Sequence, residues 1–93
     1  MKLGEILRTA FEHKASDIHL ISGHPPMMRV NTVMTPMDYP LLTPATVKGF
    51  LEEMTNAAQM ARFDEIRDLD FSFAVPELGR YRVNAHSQRG TIG

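Results

Sequence analysis

Arginines recur at alternate positions in segments with the look of strands: Arg29 in Met27-Met28-Arg29-Val30, and Arg80 and Arg82 in Gly79-Arg80-Tyr81-Arg82-Val83-Asn84. A strand sends successive side chains to opposite faces, so Arg80 and Arg82 share one face and Arg29 lies on the polar face of its own strand. Planar guanidiniums with paired donors suit phosphate oxygens. The plainer reading is a solvated sheet face, since an antiparallel sheet commonly keeps one side wet. No glycine-lysine turn able to cradle phosphates occurs in the 93 residues, so any nucleotide chemistry must be completed elsewhere.

Other reactive residue types are less well placed. The four histidines, His13, His19, His24 and His86, show no helical metal-ligand spacing, and no metal site is expected. His19, on the polar side of a strand, reads as a surface or interface residue. Asp64, Glu65, Asp68 and Asp70 read as a solvated charge run at a helix-to-strand junction rather than as an acid and base pair. Asp70 is expected to cap a turn or pair with an arginine. No residue is assigned a catalytic role. Of the seven methionines, Met28, Met54 and Met60 fall at inward positions, while Met27 and Met37, near prolines, are the candidates for a contact surface.

The elements that position these residues follow from hydrophobic period. Leu3, Ile6, Leu7, Ala10 and Phe11 recur at helical spacing and predict an amphipathic helix. From Ser16 to Ile21 the period becomes two, with Ile18 and Leu20 on one face and Asp17 and His19 on the other. Pro25 and Pro26 cannot donate ladder hydrogen bonds, so the next strand begins at Met27, with Met28 and Val30 inward. Asn31-Thr32 is a candidate hairpin turn into a short strand through Val33 and Met34, although threonine tolerates positive φ far less well than glycine. Thr43-Pro44 opens a second helix, with Val47, Phe50, Leu51 and Met54 inward. Asn56 with Gln59 makes a capping box for a third, with Met60, Phe63 and Ile66 on its apolar side. Phe71, Phe73 and Val75, then Tyr81, Val83 and Ala85, alternate with polar residues around Pro76-Glu77-Leu78-Gly79 and predict a β-hairpin. Gly90-Thr91-Ile92-Gly93 stops where a strand would re-enter the sheet, which suits a boundary within a longer polypeptide as much as a natural end.

Composition bounds the class. A chain of 93 residues with 43% hydrophobic and 23% charged residues is expected to fold as a single domain, burying roughly 60–70% of its unfolded surface. The net charge of −1 argues against a duplex nucleic-acid partner, which demands a basic excess. With no cysteine, a disulfide framework and a thiolate zinc site are excluded, and a reducing compartment is favoured. No run approaches the ~20 apolar residues of a spanning helix, so a soluble, cytoplasmic domain without direct membrane insertion is expected.

Ala15-Ser16-Asp17-Ile18-His19-Leu20, the Gly23 to Val30 run with its paired prolines, Asp70-Phe71-Ser72-Phe73, and Arg80-Tyr81-Arg82-Val83-Asn84 with Gln88-Arg89-Gly90 together resemble the N-terminal domain of the PilT family, the type IV pilus retraction ATPases. The resemblance covers nearly the whole chain. It implies a PAS-like α/β domain, mostly antiparallel with helices on one face, followed after residue 93 by a RecA-like ATPase domain in a homo-hexameric ring. It also implies arginines that approach nucleotide, with Arg82 first and Arg80, Arg89 and Arg29 behind it. ATP and magnesium would belong to the full-length protein and no cofactor to this segment, which is expected to be inactive alone. The implied partners are the chain's own ATPase domain, neighbouring subunits and an inner-membrane pilus platform protein, which would place it in the cytoplasm at the inner membrane. Asn31-Thr32 stands where the family more usually has a glycine-bearing turn. Two other classes stay open: a free-standing PAS-like sensor of a small ligand, and single-stranded RNA binding through sheet aromatics, which would need exposed rings.

Overall fold

The N-terminal apolar stripe folds as helix α1, Leu3–Glu12, with Leu3, Ile6, Leu7 and Ala10 buried. The computed structural model describes residues 1–87 of the chain. Strands β1 (Asp17–Ile21), β2 (Met27–Val30) and β3 (Val33–Pro36) follow, then helices α2 (Pro44–Met54) and α3 (Ala57–Ile66), and strands β4 (Asp68–Val75) and β5 (Gly79–His86). Among the described residues the architecture is mixed α/β: three helices and one five-stranded sheet in the order β3-β2-β1-β5-β4. β1 lies at the centre, antiparallel to β2 and parallel to β5, while β2 with β3 and β4 with β5 form antiparallel hairpins.

Local chemistry sets the boundaries. The Glu5 carboxylate accepts the Lys2 backbone N–H at 2.8 Å at the start of α1. At α2 the Thr43 hydroxyl accepts the Thr46 N–H at 3.1 Å, with Pro44 at a position that needs no N–H. Asn56 and Gln59 close a reciprocal capping box on α3, satisfying two donors that the helix itself cannot. The β2–β3 turn is the two-residue kind, with Asn31 at φ 50° and Thr32 at φ 67°; it matches the twist of the flanking strands at the expense of placing a β-branched residue in the left-handed region.

The helices cover one side of the sheet. Ile18, Leu20, Met28, Leu69, Tyr81, Val83 and Ala85 from the strands join Ile6, Ala10, Val47, Leu51 and Phe63 from the helices in one buried cluster.

Several expectations are corrected. Met37 is 4% exposed, not a contact residue: its N–H donates to the Pro26 carbonyl at 2.8 Å, and the side chain joins the core. Phe11 is 44% exposed, because eight residues carry it about 80° past Leu3 around the helix, beyond the buried stripe. Ile66 is 49% exposed at the end of α3, just before the chain turns at Arg67 with φ 67°. β4 begins at Asp68 rather than Phe71, so Leu69 is a core residue and Asp70 lies within the sheet.

Candidate functional site

Opposite the helices, two adjacent transverse rows of the sheet bring together the residues of a polar cleft. Register aligns Arg29, Asp17, Arg82 and Ser72 across β2, β1, β5 and β4, and beside them Met27, His19, Asn84 and Asp70. With strands about 4.8 Å apart, neighbouring charged groups in these rows are within reach of one another. They line a cleft of about 350 Å³ formed by Asp17, His19, Arg29, Asp70, Arg82 and Asn84.

Arg82 and Asp70 form a fork. Arg82 Nε donates to Asp70 Oδ1 at 3.2 Å, and Nη2 donates to Oδ2 at 2.7 Å. The contact is diagonal, since the residue directly opposite Arg82 is Ser72. These hydrogen bonds hold the Asp70 carboxyl below the usual carboxylate range and raise the already high pKa of Arg82. A second pair lies alongside, with Arg29 Nε 3.5 Å from Asp17 Oδ2. His19 Nε2 is 3.9 Å from the same oxygen, is shielded from solvent, and has no hydrogen-bond partner among the described residues.

Arg80 differs from both. It is exposed, two residues before Arg82 on the same face of β5, with no ion pair among the described residues. The structure therefore gathers Arg29, Arg80, Arg82, His19 and the half-buried Met27 on one sheet face. Met37 falls on the core side, and Arg89 lies outside the described residues. The part of Asp17 as the carboxylate facing Arg29 was missed: alternation put Asp17 on the polar face, but its neighbour depends on which strand lies beside β1. Asn84 was legible as a polar-face residue and not as part of the cleft, for the same reason.

A larger cleft of about 630 Å³ sits at the start of α1, lined by residues that include Met1, Leu3, Glu5, Arg8 and Phe50. Its Glu5 carboxylate is occupied with the helix cap, and the chemistry concentrates on the sheet face instead. Among the sheet aromatics, Tyr81 is 5% exposed and Phe71 and Phe73 pack against the core, an orientation unsuited to stacking bases.

Over its full length the chain is 37% identical to the type IV pilus retractation ATPase PilT of Pseudomonas aeruginosa. It also matches a solved structure of the pilus retraction motor PilT with bound ADP, with a TM-score of 0.75 and 36% identity over 98% of this chain. The chain is an N-terminal domain of the PilT type. This PilT-type domain is 30% identical to the type IV pilus ATPase PilU of the same bacterium, again over its whole length. It spans 27% of PilT and 24% of PilU. No family model matches it. No helix among the described residues is long and apolar enough to cross a membrane.

Proposed function

We propose that this domain is the N-terminal part of a hexameric type IV pilus retraction ATPase, in which the polar sheet face senses nucleotide held by a following RecA-like domain. Magnesium and ATP bind in that second domain, and this one contributes subunit contacts and arginines that couple turnover to pilus disassembly and twitching motility. The assembly is cytoplasmic and meets the inner membrane through a pilus platform protein. The observation that carries the reading is the convergence of Arg29, Arg80 and Arg82 on one face of a sheet whose other face is packed with helices. Guanidiniums there are based on strands, and their planar paired donors suit phosphate oxygens. Similarity to PilT supplies the motor context. Arg82 is the sensing residue we select: it lines the cleft and is the first candidate that the resemblance implies. His19 and Met27, on the same face, belong to the contact between domains or subunits.

The test is made on the polypeptide that carries this domain in front of the ATPase domain. Arg82→Ala is expected to weaken ADP and ATP binding and slow hydrolysis by about tenfold, the scale of a lost charge-assisted hydrogen bond. Hexamers with unchanged affinity and rate exclude Arg82 from nucleotide sensing.

A further inference from the structure

Arg82 is already engaged before any phosphate reaches it. The donors committed to Asp70, Nε and Nη2, form one of the two-pronged edges with which a guanidinium grips a phosphate. We propose that Asp70 is a built-in counter-ion that competes with nucleotide phosphate for Arg82, so that occupancy exchanges one anion for another. This rests on the reading of Arg82 as the nucleotide-sensing arginine.

The charge pattern of the face favours exchange. Arg82 is matched by Asp70 and Arg29 by Asp17, so the paired groups cancel. A diphosphate or triphosphate carries more negative charge than one carboxylate and can displace it, whereas a single weakly charged anion cannot. The pair is also accessible, its side chains being 67% and 45% exposed. An ion pair open to water is weak enough to be replaced, and a half-exposed Asp70 that loses its partner is resolvated rather than stranded. Arg80, exposed and without an ion pair among the described residues, supplies the initial attraction on the same strand face.

Asp70 is thus a positioning residue: it acts on nucleotide only through Arg82. In the polypeptide carrying the ATPase domain, with ADP as the probe, Asp70→Asn is expected to lower the Kd by about two- to fivefold, the strength of an exposed ion pair. Asp70→Glu, which restores the charge, is expected to return the Kd to near the wild-type value. In an Arg82→Ala background, Asp70→Asn is expected to change nothing. An unchanged Kd in Asp70→Asn overturns the counter-ion role, as does equal tightening with and without Arg82, which would be a diffuse charge effect. If Arg82→Ala alone leaves the Kd unchanged, the sensing role itself fails. A second readout needs no substitution: saturating ADP is expected to shift the Asp70 carboxyl ¹³C resonance of the wild-type polypeptide toward that of an unpaired aspartate. A resonance that does not move removes the exchange.

Discussion

At the scale of single residues, the Arg82–Asp70 fork makes a prediction about acid. Hydrogen bonding by Arg82 lowers the Asp70 pKa in the folded domain. A carboxyl depressed on folding adds stability that is present above its unfolded value of about 3.9 and is lost as pH falls through the lower folded value. The stability difference between wild type and Asp70→Asn is therefore expected to be constant above about pH 5 and to close below about pH 4. Urea unfolding across that range checks it, and a difference that survives at the lowest pH shows that the fork is not formed in solution. The effect is small, because water screens a pair this exposed. The sequence left Asp70 two roles, capping a turn or pairing with an arginine, and the structure shows the second. Which arginine was not legible, because the contact runs diagonally between strands and depends on the hairpin register.

At the scale of elements, most boundaries came from local chemistry. Thr43-Pro44 and Asn56 with Gln59 start α2 and α3 where capping rules place them, and the prolines delay β2 to Met27. The β2–β3 turn departs from what local preference favours, with threonine at φ 67°. Thr32→Gly relieves the left-handed strain, part of which is offset by the greater unfolded-chain entropy of glycine. The variant is expected to be more stable by about 0.5–1 kcal/mol, read from the urea midpoint at unchanged m-value. A loss of stability would mean that the threonine side chain holds the turn. Since Arg29 Nη1 donates to the Thr32 carbonyl at 3.4 Å, the turn also helps orient an arginine of the polar face. Phe11 and Ile66 belong to apolar helical spacings and yet are exposed, because spacing states what a helix is able to bury, while its neighbours and its end decide what is covered.

Across the whole molecule, one layer of helices seals one side of the sheet and leaves the other to polar groups. Phe63, fully buried, is the α3 side chain that joins helices to sheet within the core cluster. Phe63→Ala is expected to cost about 3–5 kcal/mol, a large share of what a domain of this size has, and to lower the thermal midpoint sharply. Retention of the wild-type midpoint would show that α3 is not seated as described. The α/β class, the starts of α2 and α3, the facing of β1, β2, β4 and β5 and the family motifs were determined by the sequence itself, since they depend on composition, spacing and short-range chemistry. Strand order was not: only tertiary structure sets β1 between β2 and β5 and so makes Asp17 a partner for Arg29. It likewise carries Met37 into the core and, among the described residues, leaves Arg80 without the carboxylate that Arg82 has. Those outcomes rest on contacts between residues far apart in the chain, where alternation specifies a face and says nothing of the neighbour across it.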